Sequence, residues 1–226
     1  MLDKGVDRVP LRRPGRISRF VTAVIRLILP VIALCAALLL AFFLRDEPAP
    51  QLDVLAEIDP RLDPSGWLTM GYAVLPLVFF ILNLASRRYG PDLAFGAVLV
   101  SWVLIGGAIG WAFHAGFIRD LEAEIAPYPL AFTFFAAMFV GQLAAVLFFD
   151  WLRGIPWWHA PFFAALLAGI VFSLLFHLQS GMVIDEALGW RVAVEAGIQL
   201  AWALGQLVPA WFLRSSIRPL PGLGGA

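Results

Sequence analysis

Six long apolar runs constrain this chain more than any other feature. They are Leu27–Leu44, Leu68–Ala85, Leu93–Ile118, Leu130–Phe149, Trp157–Leu178 and Val192–Leu213. A helix needs ~20 mostly apolar residues to cross the hydrocarbon core of a bilayer, where every backbone N–H and C=O must be satisfied internally. A membrane β-barrel would show alternating segments of ~10 residues, and these runs are longer and unbroken. The composition agrees, with 61% hydrophobic and 14% charged residues, where a soluble domain carries roughly 25% charged residues. The expected fold class is an all-α integral membrane protein with six transmembrane helices in one bundle.

The charges give the orientation. The formal net charge is zero, from 16 basic and 16 acidic residues, which excludes a basic nucleic-acid binder and an acidic disordered chain. Twelve basic residues fall on the side that holds both termini: Lys4, Arg8, Arg12, Arg13, Arg16, Arg19, Arg26, Arg87, Arg88, Arg153, Arg214 and Arg218. The opposite side holds only Arg45, Arg61, Arg119 and Arg191. By the positive-inside rule both termini are expected in the cytoplasm. Acidic residues divide the other way, eleven outside against four inside, and Glu195 is the one left within an apolar run.

The expected organisation is a basic cytoplasmic segment 1–26, a six-helix domain 27–213 and a cytoplasmic tail 214–226. The first apolar run exceeds the ~7–15 residues of a signal-peptide core, and Arg45, Asp46 and Glu47 follow it directly. An uncleaved helix is expected. The single cysteine, Cys35, lies in that run and reads as a buried thiol, which excludes an internal disulfide.

Polar groups at bilayer depth are costly, so each is a candidate site residue. Glu195 lies about one turn into the last run, with Gln199 four residues on and therefore on the same helical face. Gln206 continues the stripe. Glu195 pairing with Arg191, one turn outward, or snorkelling to the interface is the plainer alternative. Asn83 and Gln142 are the other amides, and interhelical hydrogen bonding at ~1 kcal/mol competes with a binding role for both. Gly106 and Gly110 read as a close helix-packing face. Pro30, Pro76 and Pro209 each remove a backbone donor inside a run and are expected to kink it. Tryptophans cluster at span ends as an aromatic belt; Trp102 and Trp202 lie deeper, suited to stacking a planar ligand or to filling the core. His114 and His177, near the outer surface on different helices, are geometric candidates to ligate a haem or chlorophyll metal. No haem-attachment motif accompanies them, and interfacial or hydrogen-bonded histidines are the commoner case.

Catalytic signatures are missing from the sequence. It has no phosphate-binding glycine loop, no metal-spaced His/Glu helix and no Ser/His/Asp arrangement, and the largest hydrophilic loop, Arg45–Gly66, leaves no room for a soluble catalytic domain. The expectation is a non-enzyme with no catalytic residue, no metal and no cofactor. Its partners are the lipid bilayer and a small-molecule substrate, not nucleic acid. Homo-oligomers and larger membrane assemblies both stay open.

One stretch carries a family resemblance. Leu68–Val98 holds Tyr72, Pro76, Phe79, Leu82-Asn83-Leu84, Arg87, Gly90 and Pro91; the fourth run holds Gly141-Gln142 and then Phe149-Asp150-Trp151-Leu152-Arg153; Trp157, Trp158 and Pro161 open the fifth. From Leu68 to Leu213 the chain thereby resembles the VUT (vitamin-uptake-transporter-like) family, whose bacterial members include queuosine precursor transporters. The resemblance implies a multi-pass carrier of the bacterial inner membrane that imports a small molecule, with a 7-deazaguanine as the candidate substrate. It places the substrate site between the second, fourth, fifth and sixth helices and assigns binding to Glu195, Gln199, Gln142, Asn83 and Trp202. A carboxylate there can accept two adjacent donors from the base at once; alternatively, a protonatable Glu195 couples transport to proton entry.

The chain also departs from the family. Asn83 stands where the family has an acid, Ala144 replaces another, and the fifth helix carries Phe162, Phe163, Ala164, Ala165 and Phe172 at small or polar positions. In the last helix the family's acidic and lysine pair becomes Glu195 and Gln199. A site stripped of polar groups binds a polar base poorly, at ~1–3 kcal/mol per unpaired group. The competing expectation is a non-transporting membrane subunit of a larger assembly, associated with a pigment or haem through His114 and His177.

Overall fold

Each apolar run is helical in the computed structural model, which describes residues 16–44, 47, 54–60, 68–116, 128–154, 156–179 and 186–220. Six helical stretches among them are long and apolar enough to cross a membrane: Phe20–Phe43, Met70–Tyr89, Pro91–Ala112, Thr133–Trp151, His159–Leu178 and Gly189–Leu213. The chain is a multi-span all-α membrane protein. The segment before Arg16, the outer-loop residues 61–67 with Trp67, residues 117–127 with the expected third-run end at Ile118, and the tail from 221 onward lie outside the described residues.

The first helix, α1 (Arg16–Phe43), begins well before Leu27. Between Arg16 and Leu29 no proline or glycine interrupts the chain, so the helix takes in Arg16, Arg19 and Arg26 from the expected N-terminal segment. Pro30 sits buried inside α1 without ending it. A short helix, α2 (Val54–Ile58), lies in the following loop.

The second span is built in two pieces, α3 (Met70–Val74) and α4 (Leu77–Tyr89). Pro76 has no N–H for the Tyr72 carbonyl four residues back, and that carbonyl accepts from Leu75 N instead, at 3.2 Å. At the other end Gly90 caps α4 with φ 85° and donates to Ser86 O at 3.0 Å. This is the left-handed geometry that glycine adopts without steric cost, and Pro91 then opens the next helix where its missing donor is harmless.

The remaining helices are α5 (Pro91–His114), α6 (Tyr128–Trp151), α7 (His159–Gln179), α8 (Glu186–Gly205) and α9 (Leu207–Leu213). The last span is interrupted only locally at Gln206, which keeps helical dihedrals and donates to Trp202 O at 2.9 Å. Pro209 offers no N–H to the Gly205 carbonyl, and the chain restarts as α9.

The second span lies at the centre, with α4 packed against α1, α5, α6 and α7. Its Val78, Phe79 and Leu82 meet Leu34 of α1, Ala97 of α5, Met138 of α6 and Phe172 of α7 in one apolar core. Small residues set the close approach of α6 and α7. A Cβ on Gly141 would lie 3.1 Å from Phe172 Cβ and 3.3 Å from the Ala168 carbonyl oxygen. Gly106 and Gly110 do not play that part within the chain: both are exposed, with nothing near a Cβ placed on either. Their face of α5 points away from the bundle, which is why the spacing misleads here.

Candidate functional site: a buried polar file along the sixth span

Residues four apart on a helix share a face, and two such pairs meet between α7 and α8. Ser173 and His177 face inward from α7, Glu195 and Gln199 from α8. Glu195 is only 2% exposed and His177 8%. The Ser173 hydroxyl donates to Glu195 Oε2, and His177 Nε2 lies 3.0 Å from both carboxylate oxygens. Tyr72 of α3 brings its buried hydroxyl within interaction range of Glu195 and Ser173 without completing a hydrogen bond. The surrounding wall is aromatic, with Phe172 stacked on Phe176 and in ring contact with Tyr72 and Phe134. Such an apolar shell makes every bond to the carboxylate stronger and every unpaired charge more costly. Arg191, one turn outward, is exposed, and Glu195 draws its partners from α7 instead.

Gln199 continues the file one turn deeper. It is buried against Gly169 of α7, where a Cβ would fall 2.3 Å from Gln199 Oε1, and its Nε2 has no hydrogen-bond partner. Trp202 follows. Its indole N–H donates to the Ala73 carbonyl at 2.6 Å, at the end of α3 beside the Pro76 break.

An amide cluster lies at the break in the last span. Asn83 Nδ2 donates to the Pro161 carbonyl at 2.9 Å and to Gln206 Oε1 at 3.2 Å, while Gln206 Nε2 donates to the same carbonyl at 2.9 Å. Asn83 Oδ1 is buried with no hydrogen-bond partner. Beside it, at the arginine-rich end, lies a small cavity with room for about one water, lined by Asn83, Arg87, Phe149, Trp157, Pro161 and Arg214 among others. It is formed by the second, fourth, fifth and sixth spans and the turn before the fifth. The Arg214 guanidinium lies 5.7 Å over the Trp157 ring, and Arg87 Nε donates to Ile217 O at 3.2 Å.

Four of the five expected binding residues thus share one file: Glu195, Gln199, Trp202 and Asn83. Gln142 does not join them. Its Oε1 accepts from the Trp102 indole of α5 at 2.7 Å, and Trp102 packs edge-on against Phe135 and Phe139. His114 is exposed at the end of α5, whereas His177 is buried against Glu195; their helices are not among the closely packed pairs. Among the described residues no group of three or more His, Cys, Asp or Glu side chains is placed to hold a metal ion. Ser173 is a site residue that hydropathy hides, because a serine weighs little in an apolar run. Only its four-residue spacing to His177 marks it.

Fold and site together define a multi-span all-α membrane protein with a buried polar file between its second, fifth and sixth spans. Compared with known proteins, the chain matches no protein-family model, no curated protein and no solved structure.

Proposed function

We propose that the protein is a membrane carrier for a small polar molecule, which moves between the Glu195 level and the cavity beside Asn83 by alternating access. The observation that carries this reading is the file itself. Glu195, Gln199, Trp202 and Gln206 follow one another along α8 to its end, and a proline interrupts the helical hydrogen bonding of each adjoining span beside it, at Pro76 and at Pro209. Buried polar groups that hold partners only in part, such as Gln199 Nε2 and Asn83 Oδ1, are costly in a static bundle. In a carrier they are what a passing ligand engages. Each proline leaves a carbonyl without its helical donor, which loosens its span at that point as prolines do in membrane helices.

The VUT resemblance makes a 7-deazaguanine the first substrate to try and the bacterial inner membrane the location. Asn83 Oδ1 offers an acceptor for a ring or exocyclic N–H. Uptake of labelled 7-deazaguanines by cells unable to make them tests the reading. Expression of the protein is expected to restore uptake, and Asn83→Ala to reduce it about tenfold, the worth of one ligand hydrogen bond at ~1.4 kcal/mol. Full uptake by a Glu195→Ala variant removes the assigned site.

The second reading is a non-transporting subunit of a larger assembly. One observation favours it: Gly106, Gly107 and Gly110 form an exposed small-residue face on α5 where a neighbouring helix can approach closely. Co-purification of a stable partner chain, with no uptake of any 7-deazaguanine, selects it.

A further inference from the structure

Glu195 and His177 raise a problem of charge that their hydrogen bonds alone do not answer. Nε2 of His177 lies 3.0 Å from both carboxylate oxygens, so the pair is closed either by an imidazole N–H donating to a carboxylate or by a carboxyl O–H donating to the imidazole. With one proton beyond the neutral-imidazole, ionised-carboxylate state, the pair has no net charge in either form. Without that proton it leaves a net negative charge in an aromatic shell, and with a second it leaves a net positive one. Burying an uncompensated charge is far costlier than burying a neutral pair.

Among the described residues, the neighbours within reach of Glu195 are uncharged. From α3 it meets the Tyr72 hydroxyl, from α7 the Ser173 hydroxyl, and on α8 itself Gln199 one turn inward. Arg191, one turn outward, is exposed, and α6 contributes Phe134 against Phe172 and Phe176, with Asp150 at the far end of that helix. A proton held between His177 Nε2 and the carboxylate, 3.0 Å apart, neutralises Glu195 directly.

We propose that Glu195 and His177 form the binding site for a coupling proton, loaded from the outer side and released to the cytoplasm as the carrier turns over. This rests on the carrier reading. Loading forms one N–H or O–H bond within the pair and lets the helices close over a neutral site. Release breaks that bond and leaves a charge that the closed bundle cannot hold, so deprotonation accompanies opening. A sodium ion fits this site poorly, since hard cations take oxygen ligands and one face of the carboxylate is held by an imidazole nitrogen. Glu195 then serves the driving ion, and substrate recognition falls to Gln199 and Asn83.

Two measurements on the full chain in lipid vesicles test this separately from the carrier reading. Infrared difference spectra between about pH 5 and about pH 8 are expected to show a carboxyl or imidazole change that disappears in Glu195→Gln and changes in His177→Asn. Spectra identical in wild type and Glu195→Gln overturn the proton site, whatever the protein carries. In vesicles holding an inward gradient of about one pH unit, one proton per neutral substrate molecule sustains about tenfold accumulation of a 7-deazaguanine. A protonophore is expected to abolish it, and Glu195→Gln to exchange substrate across the membrane without accumulating it. Accumulation that ignores the protonophore and follows a sodium gradient overturns the inference and leaves the carrier intact. A titrating Glu195 band in a protein that moves no 7-deazaguanine supports the proton site and counts against the substrate reading.

Discussion

A carboxylate at membrane depth persists only with partners, and Glu195 finds them on α7 rather than on its own helix. Glu195 and Gln199 stand out in the sequence because a charge and an amide four residues apart interrupt an apolar run. Their partners do not stand out: which residues of α7 meet them depends on the rotation of one helix against the other, and hydropathy carries no information about it. Gly169 fixes that rotation locally, since any Cβ there runs into Gln199. Gly169→Ala is expected to destabilise the protein by about 1–3 kcal/mol, the usual cost of overpacking. In a Gln199→Ala background the same change is expected to cost almost nothing, because the obstructing side chain is gone. Thermal unfolding of the four proteins in detergent gives the cycle, and equal costs in both backgrounds would show that Gly169 is not packed against Gln199.

Helices in this bundle are legible down to their long apolar stretches and less so at their ends and breaks. Pro76 and Pro209 each mark a break, as a missing backbone donor requires, whereas Pro30 leaves α1 continuous. The identity of the residue is therefore not enough to fix where a helix is interrupted. At the second span Trp202 donates to the Ala73 carbonyl. Trp202→Phe keeps the ring and removes that donor, leaving a carbonyl unsatisfied at a cost of ~1–3 kcal/mol. The expected result is a lower unfolding temperature for Trp202→Phe but not for Trp211→Phe, whose side chain is exposed; equal effects would contradict the assigned bond. Likewise Gly106 and Gly110 had the spacing of a packing face without the neighbour, because spacing reports a helix surface and not what covers it.

Across the whole molecule the neutral net charge conceals a strong division. The arginine-rich end carries structure as well as topology: Arg87 and Arg88 donate to the carbonyls of Ile217 and Arg218, and Arg153 bridges Asp150 and the Ser86 carbonyl. These contacts tie the C-terminal residues and the turn after α6 to the end of α4. The division predicts that both termini face the cytoplasm. A reporter fused after Ala226 that is active only inside the cell is expected to be active, and one active only outside is expected to be silent; the reverse would invert the path and the direction of proton entry.

The polar file is either a path for a ligand or only an adhesive between helices. The direct measurement is uptake of 7-deazaguanine by Asn83→Leu and Gln199→Leu, each normalised to folded protein by its unfolding temperature and its amount in the membrane. A path predicts variants that stay folded and lose uptake about tenfold or more. Uptake that falls only in proportion to folded protein, at every one of these positions, would contradict it.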